Sequence, residues 1–418
     1  WLMLSQLMVI VSIIAMASID PATQALTSMA VAAVFLGFSA ATQDIVIDAY
    51  RIESAKNNLQ AMMSATYIAG YRIGMLIAGA GALYMAAYLG STTDQYNYFA
   101  WKSTYLAMAA MMLIGLATTL LISEPTHQEN KSVGLRSEVG FLLLFAFSVL
   151  GFITCYLLGS NLTQPVGQQL EQFLGNSQLA SFIVELLRLA IALVVAIGIA
   201  KLLINMQIVE QSQFQSAYVD PVHDFFQRYG LALAWTLLTL IGFYRISDIV
   251  LGVISNVFYQ DLGFTKTDIA NAVKLFGLFM TILGGFLGGV MAIRFGVLKI
   301  LFLGAALSSA TNLLFVVLAH VGQDVSFLYL VVAADNLCAG LASAAFVAFL
   351  SSLTNVSFTA TQYAIFSSLM TLIPKVMGGY SGTIVEALGY EVFFTITALM
   401  GLPVLLLIAH ISKQLGNK

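Results

Sequence analysis

What this 418-residue chain lacks most is charge: Asp, Glu, Lys and Arg make up 9% of it, against 60% hydrophobic residues. A soluble domain carries roughly a quarter charged residues. Too few are present to cover a water-facing surface of this size, so the chain belongs in a lipid bilayer. Two cysteines, Cys155 and Cys338, lie in apolar segments and form neither a disulfide framework nor a CxxC pair. Four histidines (His127, His223, His320, His410) fall in or near connections, which argues against a buried histidine relay. No run of Lys and Arg is present, so nucleic acid is not an expected partner. The motifs GxxxxGK[ST], HExxH and GxSxG are absent, as is any soluble segment able to carry a nucleotide. Neither an enzyme nor an ATP-driven pump is expected, and no cofactor or metal is implied. The opening "WLMLSQLMVIVSIIAMASI" has no initiator Met. It also lacks the basic region and small-residue cleavage site of a signal peptide, and it reads as a chain whose start lies upstream.

What is present in quantity is long apolar runs. A bilayer core needs about 20 apolar residues per helix. Twelve segments qualify: 1–19, 25–50, 59–88, 100–122, 139–159, 179–204, 230–258, 267–293, 297–319, 325–353, 360–388 and 391–412. Cytoplasmic ends are enriched in Lys and Arg. With the start of the first segment in the cytoplasm, that side holds Arg51, Lys56, Lys131, Arg136, Lys201, Arg228, Arg294, Lys299, Lys413 and Lys418, and the other only Lys102 and Lys266. The polar stretches 123–138 and 205–229 bracket the pair 139–159 and 179–204, so residues 123–229 read as linkers around an inserted helix pair. Its segments carry few polar residues beyond Glu185, Arg188 and Lys201, as lipid-facing helices should, and Glu185 and Arg188 are spaced to pair locally. The remainder is four helices (1–122), six helices (230–412) and a cytoplasmic tail (413–418). Six plus six is the arithmetic of a transporter built from two halves, the first here lacking two leading helices.

Ionisable residues inside apolar helices are costly, about 2.5–3.5 kcal/mol each on insertion scales, and tend to be functional. Asp44, Asp48 and Arg51 share one face of the second segment, and Arg72 has no acidic neighbour at helical spacing. Arg245 and Asp248 are spaced to neutralise each other, and Lys274 either pairs with Asp248 across the bundle or meets a substrate carboxylate. Asp335, Lys375 and Glu386 complete the set. Scattered over many helices, these charges imply a polar cavity rather than a single ion wire. Asp48 and Arg51, near the cytoplasmic end, read as structural glue or a gate. Asp44 stays open between a gate and a proton site. Small-residue pairs at GxxxG spacing (Gly70/Gly74, Gly284/Gly288, Gly285/Gly289), with Gly378, Gly379 and Gly382, allow close helix approach.

The blocks "FSAATQDIVIDAYRIE" (38–53), "GYRIGMLIAGAGAL" (70–83), "ADNLCAGLASAAFVAFLSSLTNVSFTATQYAIFSSL" (334–369) and "GGYSGTIVEALGY" (378–390) resemble the AmpG-type muropeptide permeases of the major facilitator superfamily. The likeness covers roughly 1–125 and 221–410. It implies an all-α membrane protein with a major facilitator fold of two six-helix halves, plus the inserted pair. It further implies a proton-coupled importer of GlcNAc-1,6-anhydro-MurNAc, with or without stem peptide, in a bacterial inner membrane, serving peptidoglycan recycling and β-lactamase induction. The family pattern falls on Gln43, Asp44, Asp48, Gly70, Tyr71, Arg72, Gly74, Asp248, Lys274, Asn336, Gln362 and Glu386. Position 335 is Asp where the family has a longer acid, and 375 is Lys where it has Arg, which loses a bidentate fork.

Such a cargo needs amides (Gln43, Asn336, Gln362), cations for its carboxylates (Arg72, Lys274, Lys375) and aromatic faces for its sugars (Tyr71, Tyr244, Phe276). Asp44, Asp248, Asp335 and Glu386 are the candidate proton carriers. Three arrangements are expected. Asp44 and Arg72 face one cavity as neighbours. Asp48 and Arg51 each meet an opposite charge on another segment. The protein is a monomer whose partners are muropeptide, protons and lipid. A porter for another bulky anion, an efflux pump, and a non-transporting receptor of wall fragments remain the alternatives.

Overall fold

The computed structural model describes every residue except 24–25, 55, 57–58, 92–94, 124–134, 176, 210 and 417–418. The described residues form helices and no strand, because in lipid every backbone N–H and C=O must be satisfied within its own segment. Among the described residues eleven helices are long and apolar enough to cross a membrane, and Leu2–Ala17 is a shorter apolar helix. The chain divides into two compact units, Trp1–Thr126 with Phe225–Lys418, and His127–Asp224.

The first unit begins with α1 (Leu2–Ala17), α2 (Leu26–Ser54) and α3 (Gln60–Leu76). A π-helical turn, Ile77–Gly81, carries α3 into α4 (Ala82–Tyr88), and α5 (Tyr98–Leu121) follows. The Asn97 side chain caps α5 by accepting from the N–H groups of Phe99 and Ala100.

The second unit is a helical hairpin of α6 (Leu135–Leu174) and α7 (Ser177–Asn205), followed by the short α8 (Gln211–Phe214). Gly175 makes the turn at φ +64°, a backbone conformation side chains disfavour. The first helix is longer than the apolar run 139–159 suggested: it has 40 residues and continues through Pro165. Glu185 and Arg188 form the local pair that their spacing predicts, at 2.6 Å, and Tyr156 joins it through its hydroxyl and its carbonyl. Most of the connection 123–138 lies outside the described residues.

The amphipathic α9 (Asp220–Tyr229) leads into six spans. The first is broken: α10 (Leu231–Phe243) stops, Tyr244 and Arg245 turn, and α11 (Ile246–Asp261) resumes. The second starts at α12 (Lys266–Ile269), under a Thr265–Asp268 capping box, and runs through a π-helical stretch, Ala270–Phe276, into α13 (Gly277–Phe295). Next come α14 (Val297–Val321), α15 (Val325–Leu353) and α16 (Thr359–Gly378), then α17 (Ser381–Leu399) and α18 (Gly401–Gly416). The chain reverses inside α17, at Gly389 (φ 81°, ψ 167°), not between α16 and α17. Contacts fix this reading. His320 faces Glu391, while Ser309 faces Gly401, so residues after Gly389 run antiparallel to α14. Residues before it continue α16 alongside α11, where Ser381 Oγ donates to the Val250 carbonyl.

Two apolar cores occupy opposite ends of this six-helix set. One holds Phe225, Leu237, Leu301, Phe346, Phe349, Phe366 and Ile408, and it includes Ile52 of α2 and Ala61 of α3. The other holds Ile246, Phe258, Phe315, Leu328, Val331 and Phe394, with no buried member from α1–α5. The first is flanked along the sequence by Arg228, Arg294, Lys299 and Lys413, and the second by Lys266. The four-helix and six-helix sets therefore meet at the basic end. There α3 lies on α13 and α15, and α2 lies on α16.

Candidate functional site

Small residues make the meeting possible. A Cβ on Gly289 would sit 3.1 Å from the Ala61 carbonyl oxygen and 3.1 Å from the Ala65 Cβ. Ala65 and Ile68 then pack on Ala344 and Val347. Within the six-helix set, a Cβ on Gly284 or Gly340 would overlap the backbone of the facing helix, so α13 and α15 touch main chain to main chain. Gly70 and Gly74 share the GxxxG spacing but have nothing within 4 Å. From Gly70 onward α3 leaves the six-helix set, and Tyr71 is 59% exposed.

Arg51 ties the closed end. It is 3% exposed. Its Nη1 donates to Ser64 Oγ on α3 at 3.3 Å and to Ser351 Oγ on α15 at 3.0 Å. Its Nη2 lies 3.4 Å from Asp48 Oδ1 on its own helix. The guanidinium also sits 5.3 Å from the ring centroids of Tyr67 and Tyr363. The expectation of opposite charges on other segments is corrected here. Asp48 and Arg51 pair with each other, and across the interface Arg51 meets a hydroxyl and an aromatic face. One shell further out, Arg228 Nη2 donates to the Leu353 carbonyl and to Gln362 Oε1, both at 3.1 Å, and the Asn355 N–H donates to the same Oε1 at 2.7 Å.

Deeper in the six-helix set lies a polar layer. Asp248 on α11 accepts a hydrogen bond from Ser308 Oγ on α14. One residue before it, Ser247 Oγ donates to the Thr397 carbonyl and accepts from Asn312 Nδ2, at 2.8 Å each. Asn312 Oδ1 is buried without a hydrogen-bond partner among the described residues. Arg245, spaced to neutralise Asp248, makes no ion pair with it. Arg72 and Asp44 likewise form no ion pair with each other.

A family model described as Major Facilitator Superfamily matches residues 236–414. A putative transporter, AmpG 4 of Rickettsia felis, is 28% identical over 416 residues, covering 100% of this chain and 80% of its own. The anhydromuropeptide permease of Escherichia coli K12 is 27% identical over 409 residues, covering 98% of this chain and 65% of its own. The solved structure of the proton:xylose symporter XylE, bound to 6-bromo-6-deoxy-D-glucose, superposes with TM-score 0.61 at 12% identity, over 98% of this chain and 79% of that one.

Residues 236–414 thus match the major facilitator superfamily, and the fold of the chain is a major facilitator fold. It is a multi-pass membrane transporter and not an enzyme. In this fold the remaining candidates fall as follows. Lys274 lies in the π-helical stretch before α13 and is exposed, with no ion pair among the described residues; it does not reach Asp248. Lys375 and Glu386 are also exposed and without ion pairs. Gln43 is half-buried on α2. Asn336 serves packing: its Oδ1 accepts from Thr281 Oγ1 at 3.0 Å and its Nδ2 donates to the Val332 carbonyl at 3.0 Å. Gln362 is 1% exposed and holds the α15–α16 connection through Arg228, away from any open space. Tyr244 is buried too, stacked on Phe346 at 4.2 Å with its hydroxyl donating to the Leu301 carbonyl. Ser351, Tyr363, Ser308 and Asn312 are partners that no sequence signal singled out. Arg245 was visible as an intramembrane charge but was matched to the wrong residue.

Proposed function

We propose that this transporter imports anhydro-muropeptides, GlcNAc-1,6-anhydro-MurNAc with or without stem peptide, across a bacterial inner membrane by proton symport. Such uptake serves peptidoglycan recycling and β-lactamase induction. The observation that carries the reading is similarity over the whole chain to AmpG-type transporters, one of them named an anhydromuropeptide permease. The chemistry agrees with it. The cations Arg72, Lys274 and Lys375 have no ion pairs among the described residues, as a porter of a carboxylated sugar requires. With the basic end cytoplasmic, the halves meet on the cytoplasmic side and separate from Gly70 outward. This is a form that admits cargo from the periplasm.

In this reading Asp48 and Arg51 act as the cytoplasmic gate, which parts when α2 and α3 rock away from α15 and α16. Asp248 on α11 and Asp335 on α15 take the coupling proton, as carboxylates carried inside apolar spans commonly do. Asp44 sits beside the gate, where its protonation acts on the same closure. Uptake of labelled GlcNAc-1,6-anhydro-MurNAc into right-side-out vesicles tests the proposal. Accumulation should need an inward proton gradient and collapse with a protonophore. Vesicles that take up no disaccharide, with the protein present and folded, would remove the muropeptide reading. Gradient-independent accumulation would remove the proton.

A further inference from the structure

We propose that α9 is the outer strut of the cytoplasmic gate. Phe225 and Arg228 act as positioning residues: they hold in place the two residues of the six-helix set against which Arg51 closes. The proposal rests on the gate reading above and adds to it the element that sets the gate. Arg51 crosses to Ser351 near the end of α15 and to Tyr363 near the start of α16. Residues 354–358 join these two helices through a single 3₁₀ turn, Val356–Phe358. A connection of that kind has few main-chain bonds of its own to fix its shape.

Arg228 supplies the missing bonds. Its Nη2 donates to the carbonyl of Leu353, two residues after Ser351. It also donates to Oε1 of Gln362, the residue before Tyr363. One guanidinium nitrogen thus spans the connection at positions next to both gate contacts. The Asn355 N–H donates to the same Oε1, so Gln362 closes the connection from within. Gln362 is buried, and donors that lose its oxygen have little water to replace it. Phe225 fixes where α9 lies. Its ring is buried, 5.2 Å from Phe366 on α16, one turn after Tyr363. The core that holds Phe225 also holds Tyr363, Ile52 of α2 and Ala61 of α3, so α9 packs into the apolar layer of the gate itself. Phe226 meets Trp235 on α10 at 5.6 Å. These bonds and ring contacts run to α10, α15 and α16, so the strut acts on the gate through Ser351 and Tyr363. Arg228 itself is exposed, and a buried gate is therefore set from the aqueous surface.

The test is a spin-label distance between the exposed cytoplasmic ends of the two sets, in purified full-length protein. Labels go on Ser54→Cys (α2) and Lys299→Cys (α14), with Cys155→Ser and Cys338→Ser. Arg228→Met keeps most of the side-chain stem and loses the donor. It should raise the open-to-closed ratio by about 2- to 30-fold, the range for a lost cation–π contact such as that of Arg51 with Tyr363. Arg228→Lys, which can still donate, should restore part of the closed population. Gln362→Met should shift the ratio in the same direction as Arg228→Met. With Arg51→Gln already present, Arg228→Met should add almost nothing, because the strut works through the acceptors of Arg51. A merely structural residue would add its full effect there, and that result overturns the strut. An unchanged distance in Arg228→Met and Gln362→Met also overturns it, and opening by Arg51→Gln then leaves the gate reading standing. If Arg51→Gln does not lengthen the distance, the gate reading fails and the strut fails with it. Should Arg228→Met not fold, Gln362→Met alone, with and without Arg51→Gln, decides by the same comparisons.

Discussion

Replacing Arg51 with glutamine should open the cytoplasmic side, and the structure says by how much. Arg51 makes five contacts, but only those that cross between halves change when the halves part. Asp48, Ser64 and Tyr67 belong to α2 and α3 and travel with Arg51. Ser351 on α15 and Tyr363 on α16 do not. A hydrogen bond to a charged group contributes about 1.5–3 kcal/mol. A cation–π contact adds about 0.5–2 kcal/mol. Together they favour the closed cytoplasmic side by roughly 2–5 kcal/mol, and the neutral serine acceptor argues for the lower end. At 1.4 kcal/mol per decade, about 2 kcal/mol is roughly a 30-fold shift in the open-to-closed ratio. The assay is spin-label distance measurement between cytoplasmic ends of the two halves, with labels on α2 near Ser54 and on α16 near Thr361. Arg51→Gln should populate a longer distance absent from the wild type. Asp48 complicates the single variant, since removing its partner leaves a buried carboxylate unpaired, so Asp48→Asn/Arg51→Gln must show the same shift. An unchanged distance distribution in both variants would refute the reasoning.

The glycines give a second expectation. Gly340→Ala places a Cβ against the Thr281 carbonyl and should cost about 1–3 kcal/mol or more, whereas Gly74→Ala, in open space, should be neutral or gain about 0.5–1 kcal/mol. Thermal unfolding of the two variants in detergent should separate them, and equal midpoints would contradict the packing. Asp44→Asn should abolish gradient-driven accumulation while counterflow exchange persists in part. Wild-type accumulation would return Asp44 to a structural role. Arg228→Ala releases Gln362 and the Leu353 carbonyl, so hydrogen exchange across 353–363 should quicken, and unchanged protection there would show that the connection is held by other contacts.

Apolar run lengths were enough to read an all-helical membrane fold, because a bilayer sets helix length and forbids open backbone. The Glu185–Arg188 pair was legible for a related reason: its partners lie on one helix, where spacing alone decides who meets whom. Legibility ended where a partner lay on another helix. Arg245 was three residues from Asp248, yet the carboxylate turned to Ser308 on α14. Asp44 and Arg72 were on adjacent spans, yet they form no ion pair. Gly70/Gly74 and Gly284/Gly288 have the same spacing, and only the fold separates an empty face from a backbone contact. The break at Tyr244–Arg245 carries no proline to announce it, and Gly242 just before it is one glycine among many in the spans. In a bundle that is apolar throughout, periodicity also loses its contrast, so the sequence could not say that Gln362 faces a loop rather than a cavity.

The bearing between the halves has a mechanical consequence. Where α3 crosses α13 the surfaces in touch are Gly289 against Ala61 and Ala65, with almost no side chain to interlock. Such a joint can turn without repacking rotamers, so its friction is low. The arm beyond it is long: from Ala65 to Tyr88 at 1.5 Å per residue is about 35 Å, and a turn of about ten degrees at the bearing would sweep the far tip by about 6 Å. A displacement small enough to leave the glycine–alanine contact intact is thus amplified at the mouth into a movement on the scale of a sugar ring.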